Sequence, residues 1–503
     1  NVDVQFDVDT STGADNTVKI TLTGDCEFDA VTVASGDTLD LNGQRVEFGG
    51  NFTGNSGSFN NGAGLIFARG DYSDGNGSGN NYTSKTLVMD GGYCNPAETT
   101  WQNIFLRNGT HTIGGARNWV DTPLILGGTA NFTSNNTWGN MSIATGGNFD
   151  GNTTTITCRG DWTSSGGLIG ASCFSTAAQG DAAYIASVTD YRSSDTIGTV
   201  EAWIKPHSTP SSYDIIFSSA DDDGSSLFLF YLSDGELFFN AGGNSLSSGV
   251  DLSDGKWHHV AVVVDASTTN LYVDGKLVRT TPLFHSWFSD TSNRSNLAIG
   301  MIRYNNDDLP TQVSYMFKGE IDEVRVWDTA RSVTQLRDNM FSEVATDSTG
   351  LVGYWKLNTG TGATVYDSCA NTTDEDLTEY ASGKNSWAGA GTFDQATSTV
   401  DMTGTSKKIY YRDDELIFNN LTVNGTTTLN GVNKTTSDCR LNGNLNVAGT
   451  LSSTASETIM LQGTAPTVSI GTAATSVNGL YKLRLRQASS TVSLPALKIP
   501  RIN

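Results

Sequence analysis

Short stretches in which apolar and polar residues alternate follow one another at both ends of the chain. Each has an aromatic residue, two further residues, two apolar positions separated by one residue, and a glycine close behind. The stretches are FDAVTVASG from Phe28, WQNIFLRNG from Trp101, WGNMSIATG from Trp138 and FNNLTVNG from Phe418. Alternation with a period of two predicts a β-strand with one buried side, and the glycine predicts a turn.

A second pattern repeats over a longer distance. It reads Phe, six residues, Ile or Val, three residues, Gly, and occurs as FNNGAGLIFARG from Phe59, FDGNTTTITCRG from Phe149 and FDQATSTVDMTG from Phe393. Repeated short strands with turns at fixed offsets predict a β-solenoid or a stack of small sheets, in which each unit buries its apolar side against its neighbours.

The first two copies of this pattern end in Arg-Gly-Asp, a tripeptide that some cell-surface receptors recognise. It occupies positions 69–71 and 159–161, at the same distance from the leading Phe. In the third copy the tripeptide is Thr-Gly-Thr around Gly404. Because the glycine stays while its neighbours change, we interpret the tripeptide as a shared turn and not as a receptor tag.

The second and third copies are separated by more than two hundred residues of different character, richer in aromatic and charged residues. Strands are predicted at 199–206, 226–232, 236–240, 256–265, 270–278, 296–300 and 317–328, with one helix at 329–340 and hairpin turns at Asp234, Asp254 and Asp274. This pattern predicts an antiparallel two-sheet sandwich. An interrupted repeat indicates an inserted domain, so we predict domains at 1–171, 172–387 and 388–503.

The inserted region resembles the laminin G-like members of the concanavalin A-like lectin/glucanase superfamily, pentraxins included. The resemblance lies in VEAWIKP, DGKWHHVAVVVD, LYVDGK, FKGEIDEVRVWDTARS and the trailing GLVGYWKLNTGTGATVYDS. It implies a concanavalin A-like jelly-roll sandwich over about two fifths of the chain. The flanking repeats resemble, in composition, segments of bacterial cell-surface proteins and of marine phage structural proteins.

Some members of the superfamily are glucanases with a Glu-x-Asp-x-Glu motif, to which GEIDEV is similar. Alternate residues of a strand share a side, so three acids at that spacing would face one substrate. Here Glu320 and Asp322 share a side, Val324 occupies the third position, and Glu323 is predicted to point the other way. We therefore predict no catalytic residues and no enzymatic activity.

The resemblance also implies one structural calcium ion, since relatives hold calcium with carboxylates of loops at the rim of the sandwich. The candidate ligands are Asp221, Asp222, Asp223, Asn306 and Asp307. The alternative is that these acidic loops are simply solvated.

Aromatic residues in loops of a sandwich could stack on sugar rings. The preferred candidates for glycan binding are Trp287, in PLFHSWFSD, with Tyr304 and Tyr231; Tyr213 and Tyr315 are further candidates. The alternative for each is an ordinary place in the core.

Composition narrows the partners. Thirty Lys and Arg residues against 53 Asp and Glu give a net charge of −23, which repels phosphate backbones and anionic membranes. Nucleic acid is thereby an unfavourable partner, and no apolar run is long enough for membrane insertion. The exception is the tail LYKLRLRQ, a basic strand suited either to docking on another subunit or to ending the last domain.

Six cysteines lack any metal or redox spacing, so buried free thiols are predicted, with a Cys173–Cys369 disulfide as the alternative.

Taken together, the sequence predicts a phage virion surface, fibre or decoration component. Its expected partners are other copies of itself or other virion subunits, and cell-surface glycans. The first alternative is a secreted or cell-surface bacterial adhesin, and a more distant one is a glycan-active hydrolase.

Overall fold

The computed structural model describes residues 4–6, 19–33, 37–54, 58–60, 64–73, 86–96, 101–114, 117–119, 123–145, 147–169, 172–176, 184–221, 225–302, 315–359, 362–370, 375–379, 387, 392–394, 398–412, 417–432, 438–453, 458–461, 467–470, 476–478, 482–485 and 491–493. Contacts divide the chain into two units. One is Asn1–Ala171 together with Gly389–Asn503, and the other is Ser172–Ala388. The predicted boundaries were 171 and 387.

The first unit is a β-solenoid, as predicted, built from coils of up to three short strands. Each strand pairs in parallel with the strand one coil further along the chain. We call the three sides of the coil face 1, face 2 and face 3, in the order in which the chain visits them. The strands of face 1 are Cys26–Phe28, Arg45–Phe48, Leu65–Ala68, Thr86–Met89, Asn103–Leu106, Leu124–Leu126, Met141–Ala144, Trp162–Gly166, Lys407–Arg412, Thr426–Val432, Thr450–Ser453 and Ser476–Asn478.

Faces 2 and 3 each consist of two successive sheets. Face 2 contains Val4–Phe6, Val31–Val33, Phe52–Gly54, Tyr72–Ser73, Gly92–Asn95, Thr110–Ile113, Thr129–Phe132, Asn148–Asp150 and Thr392–Asp394, followed by Ile417–Phe418, Asp438–Leu441, Thr458–Leu461 and Lys482–Leu485. Face 3 contains Lys19–Thr21, Thr38–Asp40 and Ser58–Asn60, followed by Arg117–Trp119, Asn136–Trp138, Thr155–Cys158, Thr399–Met402, Asn420–Val423, Leu445–Val447, Thr467–Ile470 and Thr491–Ser493.

The interior of the solenoid is filled by alternate residues of each strand. Val31 and Val33 point inward while Thr32 lies between them, half-buried. Aromatic side chains stack from coil to coil, with ring centroids 4.7 Å apart for Phe132 and Phe149. The period-two pattern in the sequence therefore reports a one-sided strand, as expected.

The three copies of the longer sequence pattern do not all lie at the same position in the coil. Phe149 and Phe393 are direct partners on adjacent strands of face 2, so the solenoid resumes in register after the insertion. Phe59, by contrast, pairs with Leu39 on face 3, so aligning it with the other two was wrong. The repeating unit of the sequence is one strand with its corner, because every side of the coil needs the same inward apolar residues and the same tight turn.

The second unit is a sandwich of two antiparallel sheets. We call the first the back sheet; its strands, in spatial order, are Phe174–Thr176, Gly319–Trp327, Gly198–Pro206, His258–Val264, Thr269–Val273 and Lys276–Thr281, with Leu351–Trp355 also paired to Gly319–Trp327. We call the second the front sheet; its strands are Asn244–Asp251, Glu236–Ala241, Leu227–Ser233, Asp214–Ala220, Asn296–Ile299, Tyr184–Ala186, Leu377–Glu379 and Thr364–Val365. A helix, Val333–Asn339, and a 3-10 turn, Phe288–Asp290, complete the described elements.

Local sequence signals explain most of these boundaries. Asp234 and Asp274 have positive φ angles and are followed by glycines that do too, as a tight hairpin requires. Asp254 does not join a hairpin, contrary to the prediction, because the strands on either side of it, Asn244–Asp251 and His258–Val264, belong to different sheets. The helix begins at a capping box, in which Ser332 and Gln335 hydrogen-bond reciprocally with each other's backbone N–H.

The two ends of the sandwich meet. Phe174 forms an antiparallel bridge with Trp387, which is the arrangement that an insertion into a continuous coil requires. None of the six cysteines is in a disulfide, so the Cys173–Cys369 disulfide does not form.

Candidate functional site

A row of aromatic side chains lies on the outer side of the front sheet. In Leu227–Ser233 the even-numbered residues enter the core, so Leu229 and Tyr231 face outward. Tyr231 stacks on Phe238 of the next strand, with centroids 5.5 Å apart. On its other side Tyr231 contacts Tyr213 at 5.6 Å, and Tyr213 contacts Tyr315 at 5.3 Å. We call these four residues the aromatic row.

Buried apolar residues hold the aromatic row in place, and one of its rings is exposed to solvent. Ile215 and Leu229 are buried beside it in the same apolar cluster, which holds the rings in place. Tyr231 is only 6% exposed, whereas Tyr213 is 40% exposed and presents an accessible ring. Burial raises the pKa of Tyr231 even though its hydroxyl group hydrogen-bonds with Ser245, so that hydroxyl group stays protonated near neutral pH.

Polar groups border the row on the side of the Asn244–Asp251 strand. Asn240 follows Phe238 by two residues on the same side of its strand and lies opposite the exposed Ser245. Ser247 pairs with Phe238 and donates a hydrogen bond to Glu236, whose Oε1 also accepts from the backbone N–H of Gly249 at 2.7 Å. Apolar ring faces beside hydroxyl, amide and carboxylate groups form a surface of the kind that binds polar organic ligands.

The three preferred glycan-binding residues have different outcomes. Trp287 is wholly buried, with its ring 5.1 Å from Phe228, so the prediction that it stacks on sugar was wrong. The segment around it is rich enough in apolar residues to close the core, so the alternative, an ordinary place in the core, holds for Trp287. Tyr304 lies outside the described residues. Tyr231 is in the aromatic row, where it supports its more exposed neighbours.

Of the candidate calcium ligands, the structure describes Asp221. Its side chain is buried, and its Oδ2 accepts a hydrogen bond from the Ser225 hydroxyl group at 2.6 Å. Its Oδ1 is buried without a hydrogen-bond partner. Asp222, Asp223, Asn306 and Asp307 lie outside the described residues. Within the part of the chain that is described, no three His, Cys, Asp or Glu side chains converge as a metal site.

The acidic residues of GEIDEV lie on the outer side of the back sheet. Asp322 and Glu323 are fully buried, and burial raises the pKa of the half-buried Glu320. The strand does not alternate evenly here: Glu323 has a φ of +54°, and the pairing shifts so that Trp203 faces Asp322 while Glu201 faces Arg325. This β-bulge turns Glu323 to the same side as Arg325, so the prediction that it points the other way was wrong.

Buried charges on this side form a network around Arg325. Its Nη2 lies 2.5 Å from Glu323 Oε2, and its Nη1 lies 3.9 Å from Glu201 Oε1. Tyr354 donates a second hydrogen bond to Glu323, at 2.6 Å. Arg325 also donates to the carbonyl groups of Asn339, the last residue of the helix, and Ser342, which follows the helix. The network ties the helix and its following turn to the back sheet.

The network makes stability depend on pH. Burial by itself would raise the pKa of Glu201, but contact with His259 and the charge of Arg325 lower it to about 2 from the ordinary 4.5. A carboxyl group with a lowered pKa stabilises the fold fully above its ordinary pKa and loses that contribution as the pH falls. We expect the sandwich to lose up to about 3 kcal/mol from this group between about pH 4.5 and pH 2.

Acid unfolding of the wild type and of Glu201→Gln, followed by hydrogen exchange in 198–206, measures this loss. The variant should be less stable at pH 7 and should lose less stability on acidification. The pKa of Glu323 is raised by burial, so that group opposes the trend. Equal losses in the two proteins would show that Glu201 does not carry the pH dependence.

The first Arg-Gly-Asp tripeptide is a corner between face 1 and face 2. The backbone N–H of Asp71 donates to Asn51 Oδ1 at 2.9 Å, and Asp71 Oδ1 accepts from the N–H of Tyr93 at 2.7 Å, so Asp71 links three successive coils through its backbone and its carboxylate. A Cβ atom on Gly70 would lie 2.5 Å from Asn51 Oδ1, which excludes larger residues there. Arg69 is ion-paired with Glu47. These contacts support a structural role for the tripeptide.

The second tripeptide makes the same pair of hydrogen bonds between coils at a different corner, between face 3 and face 1. Asp161 N–H donates to Asn140 Oδ1 at 2.9 Å, and Asp161 Oδ1 accepts from Lys408 N–H at 2.8 Å.

The basic tail also joins the solenoid, because Lys482–Leu485 pairs in parallel with Thr458–Leu461. Across the described residues, no helix has the length and apolar character needed to cross a membrane.

Comparison with known proteins agrees with the sandwich geometry. Residues 178–337 match the concanavalin A-like lectin/glucanases superfamily, the laminin G-like family that the sequence motifs resemble. This match and the two sheets together assign a concanavalin A-like fold to the inserted unit, which confirms the prediction. No curated protein matches the sequence.

Three solved structures illustrate the likeness. A proposed carbohydrate-binding protein from Bacteroides ovatus is 22% identical over 42% of this chain and 57% of its own, with a TM-score of 0.32. A heptameric SAP-like pentraxin from Limulus polyphemus is 18% identical over 33% of this chain and 79% of its own, with a TM-score of 0.26. Domains LG4-5 of the mouse laminin alpha1 chain are 18% identical over 32% of this chain and 43% of their own, with a TM-score of 0.25.

Proposed function

We propose that this protein is a non-enzymatic adhesive protein, in which the solenoid is the scaffold and the sandwich binds glycans through the aromatic row. The observation that carries the proposal is the run of rings from Phe238 to Tyr315, open at Tyr213 and bordered by Asn240 and Ser245. One face of a sugar ring is largely C–H and packs on an aromatic ring, while its hydroxyl groups take hydrogen bonds from neighbouring polar groups.

Binding fits the geometry better than catalysis. Glycoside hydrolysis requires two carboxyl groups on opposite sides of a substrate bond. In the GEIDEV segment, Glu323 is ion-paired with Arg325 and accepts a hydrogen bond from Tyr354, and Asp322 is fully buried. A screen of the full chain for released sugars should find none, and turnover of any glycan would contradict this part of the proposal.

Replacement of Tyr213 tests the binding surface. We expect Tyr213→Ala to weaken glycan binding at least tenfold, or by about 1.4 kcal/mol, because Tyr213 is the most exposed ring of the row. Binding of the full chain would be measured on a glycan array and quantified by calorimetry for the glycans found. Tyr366→Ala is the matched control, since Tyr366 is 57% exposed and is not part of the row.

The control should bind as the wild type does. Equal loss in the two variants, or wild-type binding by Tyr213→Ala, would contradict a glycan site at the aromatic row. Absence of binding to any glycan would contradict the adhesive function as a whole.

We further propose a virion as the place where the protein acts, with other virion subunits or copies of itself as partners. The in-register coils on both sides of the insertion support a scaffold that presents the sandwich. Copurification of the protein with assembled phage particles tests this proposal. Recovery from a bacterial envelope instead would favour the bacterial adhesin.

We also propose one structural calcium ion at Asp221. The buried, unpartnered Oδ1 of Asp221 fits a carboxylate ligand, since calcium prefers oxygen ligands. Calcium should raise the melting temperature of the wild type by several degrees relative to a chelator, and should leave that of Asp221→Asn nearly unchanged. Equal melting of the wild type with calcium and with chelator would refute the proposal.

A further inference from the structure

The strands beneath and beside the aromatic row carry no positive charge. Asp214–Ala220, Leu227–Ser233, Glu236–Ala241 and Asn244–Asp251 are described throughout and contain no Lys, Arg or His. They do contain the acids Asp214, Glu236 and Asp251. Lys318 adjoins this surface, but its backbone N–H is bound by the Asp214 carboxylate and its charge lies close to that carboxylate.

An anionic sugar would therefore meet repulsion at the row. Two like charges a few ångströms apart near a protein surface repel each other. Glu236 lies close to the row, because Ser247, which pairs with Phe238, donates a hydrogen bond to its carboxylate. The net charge of −23 adds a long-range repulsion that salt would screen. Uronic acids, sialic acids and sulfated sugars lack a cationic partner among these strands.

The row also extends over more than one sugar ring. Its successive centroids are 5.5, 5.6 and 5.3 Å apart, comparable with the length of one pyranose along an extended chain. Neighbouring rings are tilted by 30° and 56°, so the row presents a twisted strip of ring faces. More than one sugar ring can therefore contact the row, at the exposed Tyr213 and at the half-buried Phe238 and Tyr315.

From these observations we infer that the aromatic row selects uncharged polysaccharide chains, bound along several consecutive sugars, and rejects their acidic counterparts. This inference rests on the proposed function and names its ligand class.

The test uses the full chain with matched pairs of oligosaccharides. Each pair is a neutral gluco-, manno- or galacto-oligosaccharide and the same oligosaccharide oxidised at C6 to the uronic acid, in lengths of two to six sugars. We expect at least one neutral backbone to bind, its affinity rising at least tenfold from two to four sugars. Its oxidised form should bind at least tenfold more weakly at low salt, with the gap narrowing in 0.5 M NaCl.

Asn240→Lys supplies a gain-of-function arm. Asn240 faces outward between Glu236 and the strand end, so a lysine there places a cation beside the row without disturbing the core. The ratio of the affinity for the oxidised oligosaccharide to that for the neutral one should rise several-fold over the wild-type ratio. This result would support charge selection at the row itself.

Two failures are distinguishable. If oxidised oligosaccharides bind as tightly as neutral ones and Tyr213→Ala abolishes both, the charge selection is refuted while the glycan site stands. If no oligosaccharide of either kind shows Tyr213-dependent binding, the proposed function and this inference both fail. Equal affinity for disaccharides and hexasaccharides would refute binding along the chain.

Discussion

Arg325→Met should lower the free energy of unfolding of the sandwich by about 3–5 kcal/mol, the cost expected when one partner is removed from a buried ionic network. Arg325 is 1% exposed and supplies the cation between Glu323 and Glu201. Without it, two buried carboxyl groups lose their compensation, and the carbonyl groups of Asn339 and Ser342 lose their donor. Methionine keeps most of the volume, so the loss reports charge and hydrogen bonding rather than a cavity.

Hydrogen exchange of peptides from 198–206 and 319–327 measures this loss within the sandwich of the full chain. Arg279→Met is the control, because Arg279 is exposed on the edge strand Lys276–Thr281, and it should change stability by less than about 0.5 kcal/mol. Glu323→Gln combined with Arg325→Met should recover part of the loss, since it removes one uncompensated charge. A loss below about 1 kcal/mol in Arg325→Met would show that the network does not hold the helix to the back sheet.

Phe149→Ala should destabilise the solenoid by about 3–5 kcal/mol, the usual cost of deleting a buried phenylalanine ring. Its side chain is fully buried, with centroids 4.7 Å from Phe132 and 5.5 Å from Trp162. Phe149 also sits in the last coil before the insertion and pairs with Phe393 in the next one. A cavity at this position therefore weakens the contact on which the resumed solenoid depends.

Exchange of backbone amides in 129–132, 148–150 and 399–402 reports this effect. Thr157→Ala is the control, because Thr157 is half-buried on the outward side of face 3 and contributes little to the interior. Exchange in the sandwich strands should be unchanged in both variants. Wild-type protection around 399–402 in Phe149→Ala would contradict a solenoid that is continuous across the insertion.

The sandwich was largely predictable because its strands are long and their ends are marked. TVEAWIKP, ELFFN and NLAIG fall within a residue or two of Gly198–Pro206, Glu236–Ala241 and Asn296–Ile299. Dipeptides such as Asp234-Gly235 fix the turns locally, so tertiary context is not needed to place them. Asp254 failed as a hairpin because the same dipeptide also suits a connection between sheets.

The sequence predicted that this unit is a solenoid, but it did not predict which strand lies on which face. Strands of three or four residues carry little information each, and all three faces make the same demand on their residues. Phe59 and Phe149 therefore look equivalent in sequence, although they lie on faces 3 and 2. Only pairing between coils distinguishes them, and that pairing is not written in any single segment.

The candidate site shows the same limit. Tyr213, Tyr231 and Tyr315 were candidates one by one, but nothing in the sequence shows that residues 102 positions apart share one row. Trp287 was misplaced because a loop with Leu, Phe and Trp can fold inward, and burial depends on the space left by other strands. Glu323 was misplaced because a β-bulge reverses the alternation that the prediction assumed.

A crystal structure of the full chain soaked with a neutral tetrasaccharide that it binds tests the account most directly. Density for consecutive sugar rings should lie over Tyr213 and Tyr315, with hydroxyl groups towards Asn240 and Ser245. A sugar bound elsewhere on the chain, with Tyr213 uncovered, would contradict the account.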